Sequence, residues 1–188
     1  MKLIGAPWIT LYRKTFLKII LLKKFRSQSV HRKVINMRNE EFESYEAYQK
    51  RCEQLICQNN EYLNEFSDYL EKSGISVKTA NKHLDNSEFY INTFLIRFGG
   101  ADIREGCSML DDFFADFFIH KCMWSTPSSI KSTSTSLKKF YKCMMDHGHI
   151  EKDDYEEVCA TIKEGLDYWI DICENYNDPD LPNPFTFF

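Results

Sequence analysis

Residues 76–98 read SVKTANKHLDNSEFYINTFLIRF and predict a long amphipathic helix. Its apolar or small side chains recur at alternating steps of three and four residues, at Val77, Ala80, Leu84, Ser87, Ile91, Phe94 and Phe98. On a helix of about 3.6 residues per turn, that spacing places them in one stripe. Ser76 is a good N-cap, because its hydroxyl can accept a backbone N–H, and Gly99-Gly100 ends the pattern. We therefore expect a helix that buries one face against its neighbours.

Four further helices are predicted around this one, over about 40–71, 108–122, 126–147 and 153–175. The first has a predicted break near Asn59-Asn60, and the Phe-rich third segment is apolar on more than one face, as central helices are. Only 7 Gly and 5 Pro occur in 188 residues, which favours helices over short strands. The predicted fold is all-α, a single bundle of about five helices. Its expected core includes Leu84, Ile91, Phe113, Phe117, Leu137, Tyr141, Ile162 and Trp169.

Charge divides the chain into unlike parts. Residues 1–38 carry ten Lys or Arg and no acid, whereas residues 39–188 carry the other 14 basic residues and all 28 acidic ones, a net charge of −14. We expect a basic leader over 1–36, a helical domain over 37–176 and a Pro-rich extended tail over 177–188. Three interpretations of the leader stay open. Residues 1–26 lie on an anionic membrane, or the leader wraps phosphate backbones, or it is dispensable and precedes a true start at Met37.

No pattern of catalytic or metal-binding residues stands out. The chain contains neither GxSxG, GxGxxG nor GxxxxGK[ST], and its seven Cys are spaced irregularly. Such thiols are typical of a reduced, cytoplasmic protein. The nearest metal-like groupings lack the paired short spacings of zinc modules; they are Cys52/Cys57, Cys107/Cys122 and Cys143 with His147 and His149. We expect no catalytic centre, no cofactor, no metal and no small-molecule substrate.

One segment, residues 125–141, reads STPSSIKSTSTSLKKFY and combines many hydroxyls with three lysines and no acid. Hydroxyl and ammonium groups on one helix can contact phosphates without reading bases. The segment Lys78-Thr79-x-x-Lys82 has the same character. The candidate DNA contacts are Ser76, Lys78, Thr79, Lys82, Lys131, Ser132, Thr135, Lys138 and Lys139. The alternative is a polar helix face beside a cluster of capping Ser and Thr residues.

The order of these segments resembles the SAM-like N-terminal core-binding domain of tyrosine recombinases such as phage integrases. In that family an L-S-x-x-T entry to the second helix precedes a later S-x-x-T…L…F/Y…G-x-I helix. The matching positions, within about residues 60–152, are Ile75, Ser76 and Thr79, then Ser129, Ser132 or Thr133, Leu137, Phe140, Gly148 and Ile150. The resemblance implies a SAM-like bundle that binds DNA.

The chain departs from that family in two ways. The family's catalytic domain carries paired Arg residues, a His-x-x-Arg motif and a nucleophilic Tyr, but this chain has no Arg after Arg104 and no His-x-x-Arg. Because strand cleavage needs cations around the reacting phosphate, we expect a truncated integrase or an accessory factor that does not cut DNA. The acidic total also favours an alternative, an acidic helical module that binds a protein partner and no DNA.

Overall fold

The computed structural model describes residues 44–178, which contain six helices and no strand. The long helices are α1 (Tyr45–Lys72), α2 (Val77–Glu88, continued by π-helical Phe89–Leu95), α5 (Pro127–Asp146) and α6 (Lys152–Asn177). The short ones are α3 (Ile103–Gly106) and α4 (Leu110–Asp112, π-helical Phe113–Phe118 and Ile119–Lys121). The all-α prediction is confirmed, and α3 is the helix that the sequence pattern missed. The leader over 1–36 and residues 179–188 of the tail lie outside the described residues.

The predicted starts of α2 and α5 are confirmed by their caps. Ser76 Oγ accepts the Thr79 N–H at 3.3 Å. At α5, Thr126 Oγ1 accepts the Ser129 N–H at 3.1 Å, while Ser129 Oγ accepts the Thr126 N–H at 2.8 Å. These bonds satisfy N–H groups that the first turn of a helix leaves without partners. The hydroxyls near both starts therefore have a structural role.

The predicted break in α1 is wrong. Asn59 is 2% exposed within a continuous helix, and its side-chain Nδ2 donates to Ile91 O at 3.2 Å and to Asn92 Oδ1 at 2.9 Å. Ile91 and Asn92 lie in the π-helical part of α2. A residue type that usually interrupts helices here ties α1 to α2, because its polar group finds partners across the interface.

Aromatic rings fill the space between α2 and α4. The ring centroid of Phe113 lies 4.9 Å from that of Tyr90 and 5.0 Å from that of Phe94. Seven of the eight predicted core residues are buried, and Leu84 is half-buried against the core. These rings contribute both apolar burial and edge-to-face contacts to stability.

Two members of the predicted α2 stripe are exposed, since 76% of Val77 and 47% of Phe98 are accessible. Ser87, Ile91 and Phe94 of the stripe are buried as predicted, and the structure adds His83, Tyr90 and Leu95 to the buried face. A π-helix closes its turns with i→i+5 hydrogen bonds, so each turn holds more residues than in an α-helix. Beyond these turns the buried face departs from a stripe drawn with a constant α-helical period, which accounts for Phe98, whereas Val77 lies in the first turn of the helix.

The short helix α3 is fastened by two buried tyrosines. Tyr90 Oη donates to Gly106 O at 2.6 Å, and Tyr141 Oη donates to Ile103 O at 3.1 Å. Burial raises the pKa of both hydroxyls well above the usual range, so they stay protonated donors. A Cβ on Gly106 would lie 2.6 Å from Tyr141 Oη and 2.7 Å from Leu95 Cδ1. Only glycine allows this close approach.

Helix α6 covers the bundle through Trp169, which is fully buried. Its ring stacks on Phe114 with centroids 4.4 Å apart, and Nε1 donates to Asp111 Oδ1 at 2.8 Å. At the end of α6, Asn177 Nδ2 donates to Ser125 O at 3.3 Å, which fixes the end of the helix beside the start of α5. Between residues 44 and 178, no helix is both long and apolar enough to cross a bilayer.

Candidate phosphate-binding face

Helices α2 and α5 pack against each other through a buried polar network. Ser136 Oγ donates to Ser132 O at 2.9 Å, and it lies 2.8 Å from His83 Nδ1 and 2.9 Å from Asn86 Nδ2. Since the Ser136 proton is used within α5, its lone pairs accept from the histidine and the amide. Asn86 also reaches Ser132 Oγ at 3.5 Å. Later residues of α2 thus meet earlier residues of α5, so the two helices run antiparallel.

The five lysines of the predicted set lie on these two helices. Lys78 and Lys82 are exposed and lie four residues apart, hence on one face of α2. Lys131 and Lys138 are exposed on α5 and lie seven residues apart, about two turns. Lys139 is half-buried towards α2. No acidic side chain within the described range forms an ion pair with any of the five.

The charges of Lys82 and Lys139 influence the pKa of His83. Burial lowers the pKa of His83 below its usual 6.5, and the charges of Lys139 and then Lys82 lower it further. The two charges come from different helices, Lys82 from α2 and Lys139 from α5. Positive charge therefore accompanies the contact between α2 and α5, and the lowered pKa favours the neutral form of the His83 imidazole.

The predicted hydroxyl contacts fall into two groups. Thr135 is exposed on the same face as Lys131 and Lys138, and its hydroxyl donates to Lys131 O at 2.9 Å, which leaves its lone pairs open to donors. Ser132 is half-buried beside Asn86. Ser76 and Thr79 are exposed at the start of α2, with their oxygens 2.9 Å apart in the cap. Thr135 is thus the hydroxyl best placed among the lysines.

Helix α5 differs sharply in charge from α6, which packs against it. α5 contains four lysines and one aspartate, a net charge of +3, and α6 contains two lysines and eight acidic residues, a net charge of −6. The aspartate of α5, Asp146, forms an ion pair with Lys142. Acids are also present on α2, where Asp85 and Glu88 are exposed. The lysine face, made of Lys78, Lys82, Lys131, Lys138 and Lys139, is therefore a local exception in an acidic domain.

Sequence reasoning missed the residues that hold the face together, His83, Asn86 and Ser136. Ser136 belongs to the hydroxyl-rich segment but was not singled out, and His83 and Asn86 lie outside the predicted stripe of α2. Their shared burial depends on how α2 sits on α5. The only available signal was the four-residue spacing of His83 and Ser87, which marks a second, more polar face.

The metal-like groupings do not form a site among residues 44–178, where no three His, Cys, Asp or Glu side chains are close enough to hold an ion. Cys143 Sγ lies 3.5 Å from His147 Nδ1, but His149 Nε2 instead contacts Glu65 Oε2 at 2.7 Å. Burial, and then Glu65 and Asp146, raise the pKa of Cys143 to about 12, which keeps the thiol protonated. All seven cysteines are free thiols.

Comparison of the chain with protein-family models, with curated proteins and with solved structures finds no match. The resemblance to the core-binding domain of tyrosine recombinases therefore rests on the residues quoted above, and its SAM-like detail stays a prediction. What is established is an all-α fold over residues 44–178, in which hydrogen bonds from His83 and Asn86 to Ser136 join α2 to α5.

Proposed function

We propose that the lysine face binds the phosphate backbone of DNA and that the chain is a non-catalytic, cytoplasmic DNA-binding protein related to the core-binding part of a tyrosine recombinase. The observation that carries the proposal is the set of five lysines without acidic partners on α2 and α5. Within residues 39–188, whose net charge is −14, cations that are not neutralised by neighbours are informative about a ligand.

The spacing on α5 suits a polyanion. Lys131 and Lys138 are seven residues apart, which is about 10 Å along the helix axis. Successive nucleotides of one DNA strand rise by about 3.4 Å, so this distance corresponds to about three steps. Thr135 lies between the two lysines, and its hydroxyl, which donates to Lys131 O at 2.9 Å, can bind the intervening phosphate only by turning its proton away from that carbonyl. Such contacts fix position without reading sequence.

The acidic remainder of the domain limits the affinity. At physiological salt, charges further than about 8 Å from a phosphate are largely screened, so the nearby lysines dominate once contact is made. At lower salt, the eight acidic residues of α6 repel DNA over longer distances. We expect weak, sequence-independent binding that falls steeply as salt rises.

The test is a titration of a fluorescent DNA duplex at low salt with the full chain and with the variant Lys131→Glu/Lys138→Glu. We expect the variant to lose at least tenfold in affinity, and the slope of log K against log salt to become shallower by about two. The matched control is Lys50→Glu/Lys163→Glu, which changes the charge equally at exposed lysines of α1 and α6. Equal losses in both variants would reject the lysine face as the binding site.

The leader over 1–36 needs its own test, because its nine cations can bind DNA by themselves. The same titration with a chain that begins at Met37 separates the two contributions. We expect weaker overall binding, but the same ratio between the native face and Lys131→Glu/Lys138→Glu. Absence of binding by the Met37 chain would assign all DNA affinity to the leader.

A second function is favoured by the charge of α6. Its eight acidic residues against two lysines form a helix suited to a basic protein partner. The two functions differ in which substitutions should weaken binding. Binding to a basic partner would be weakened by neutralising Glu164, Asp167 and Asp171 and left unchanged by Lys131→Glu/Lys138→Glu.

A further inference from the structure

The buried ring of His83 has one nitrogen that the polar network between α2 and α5 does not use. Nδ1 lies 2.8 Å from Ser136 Oγ, and because Ser136 gives its own proton to Ser132 O, the ring hydrogen is on Nδ1. Nε2 is then the unprotonated nitrogen, and it has no hydrogen-bond partner within the described structure. Only 8% of His83 is exposed, yet Nε2 itself is not enclosed, unlike the unpaired hydroxyl of Ser87. A buried polar side chain thus presents a free acceptor to the surface.

The network holds this ring in one orientation. Ser136 is completely buried, and its Oγ also accepts from Asn86 Nδ2 at 2.9 Å, so the partner of Nδ1 is fixed from two sides. The two nitrogens of an imidazole point in largely opposite directions. With Nδ1 directed at Ser136, Nε2 points away from α5.

Cations are placed beside the ring by both helices. Lys82 precedes His83 in α2, and Lys139 follows Ser136 by three residues, which is one turn along the same side of α5. Because the helices are antiparallel and His83 meets Ser136, the turn that contains Lys139 lies level with the turn of α2 that leads into His83. One ammonium group from each helix therefore belongs to the surroundings of Nε2.

The acidic residues of α2 that follow lie on other sides of the helix. Asp85 and Glu88 are exposed, two and five residues after His83, and are rotated from it by about 160° and 140° around the helix axis. Burial, and then the charges of Lys139 and Lys82, lower the pKa of His83, and no acid of the described structure offsets them. The electrostatic surroundings of the ring are therefore cationic.

An anion with oxygen acceptors suits such surroundings. Two ammonium groups repel a cation, and an apolar group would leave Nε2 unpaired. The free oxygens of a phosphodiester only accept hydrogen bonds, so Nε2 can bond to one only when the ring is protonated. The negative charge of the phosphate would offset the lysines and favour that protonated form. Binding of the phosphate and uptake of a proton by His83 should therefore support each other.

We propose that His83 is a further DNA contact of the lysine face, in which Nε2–H of the imidazolium donates to an oxygen of a backbone phosphate that also pairs with Lys82 and Lys139. This inference rests on the proposed DNA binding and couples it to one proton. Ser136 is then a positioning residue, because it holds the ring through Nδ1. DNA affinity should rise as the pH falls, by at most about tenfold per pH unit for one coupled proton.

The experiment follows the Cε1–H NMR signals of the five histidines of the full chain from about pH 8 to 5, with and without a saturating A·T duplex. His83→Asn assigns the signal, because the asparagine amide can replace Nδ1 at Ser136 but has no group in the place of Nε2. We expect the duplex to raise the pKa of His83 by about one pH unit. The signal of His120, which is exposed on α4, should not respond.

Titrations of a fluorescent duplex at two pH values give a second measurement. Between about pH 7.5 and 6, we expect the affinity of the native chain to rise by about threefold or more. His83→Asn should remove this rise, and the matched control His120→Asn should keep it. If far-UV circular dichroism shows that His83→Asn has lost its fold, Ser136→Ala replaces it and should reduce the rise, because the ring is no longer held.

A His83 signal that titrates identically with and without bound duplex would overturn the inference. If Lys131→Glu/Lys138→Glu still weakened binding in that case, the proposed function would stand without this contact, and if it did not, both would fail. Inorganic phosphate, compared with sodium chloride at equal ionic strength, separates the sources of the phosphate. A response of His83 to inorganic phosphate but not to the duplex would overturn the DNA contact and assign the position to free phosphate. A response to the duplex supports the inference.

Discussion

The two halves of α2 form one continuous helix but make different kinds of contact with their neighbours. The first half, Val77–Glu88, is α-helical and contacts α5 through hydrogen bonds of His83 and Asn86. The second half, Phe89–Leu95, is π-helical and packs aromatic rings against α4. The contrast teaches that a helix can present a polar, cationic face at one end when its other end supplies most of the apolar burial.

The aromatic interface of α2 with α4 and the polar interface of α2 with α5 should also differ in how substitutions affect them. Apolar contacts are roughly proportional to buried area and have little directional preference, so the aromatic half contributes mainly to the magnitude of stability. A buried polar network costs free energy unless each group is paired, so the polar half fixes one register of α2 on α5. The lysine face depends on that register, since Lys82 and Lys139 come from different helices.

The largest effect is expected in the aromatic half. Phe113→Ala removes a fully buried ring that contacts Tyr90 and Phe94, and should lower the free energy of unfolding by about 3–5 kcal/mol. Urea denaturation followed by far-UV circular dichroism measures it. Phe98→Ala, at a half-exposed ring of the same cluster, should cost only about 1 kcal/mol. Equal losses would mean that the cluster is not centred on Phe113.

The contact between the polar half of α2 and α5 should weaken when the Ser136 hydroxyl is removed. Ser136→Ala leaves His83 Nδ1 and Asn86 Nδ2 without their shared acceptor and should cost about 1–3 kcal/mol. Ser132→Ala, whose hydroxyl lies 3.5 Å from Asn86, is the matched control and should cost less. The same urea titrations apply. If Ser136→Ala were neutral, the network would have no part in the register of α2.

A third variant should stabilise the protein. Ser87 lies between the two halves, is completely buried, and its Oγ has no hydrogen-bond partner within the described structure. Ser87→Ala removes that unpaired hydroxyl and should raise the free energy of unfolding by about 1 kcal/mol. A rise in the urea midpoint at unchanged m-value is the expected result. A fall would indicate that the hydroxyl is paired in solution.

The smallest expected effect is a dependence of the free energy of unfolding on pH, which should arise from the polar half of α2. Because the pKa of His83 is lowered in the folded state, the unfolded state binds its proton more readily. Stability is therefore fully present above about pH 6.5, the unfolded value, and declines as pH falls towards the lower folded pKa. His83→Gln should flatten this slope in urea titrations between pH 7.5 and 5. Lys82→Met/Lys139→Met should reduce it in part.

The difference between the halves also explains what the sequence could predict. Helix starts followed from local chemistry, as at Ser76 and Thr126. The exposure of Phe98 could not be predicted, because it follows π-helical turns that no periodic pattern reveals, and Val77 is exposed in the first turn of the helix. The short helix α3 was missed although Asp102 and Glu105 form a capping box at its start, and distant tyrosines supply its other hydrogen bonds.

The candidate site was predictable to a different extent. The lysines could be proposed from composition alone, because a run without acids is visible in an acidic chain. Their convergence across α2 and α5 required His83, Asn86 and Ser136, whose pairing joins residues about fifty positions apart. Long-range pairs of this kind leave no mark in a single sequence.

The π-helical segments of α2 and α4 have a consequence for how this chain can change over time. Both contain a turn that accommodates an additional residue while the helix continues on either side. Loss of one residue within Phe89–Leu95 would convert that turn to ordinary α-helix and rotate the rest of α2 by about 100°. Phe98 would then move around the helix axis. We therefore expect relatives of this chain to differ by single-residue gaps at these two places, and alignments that forbid gaps inside helices would fail to detect them.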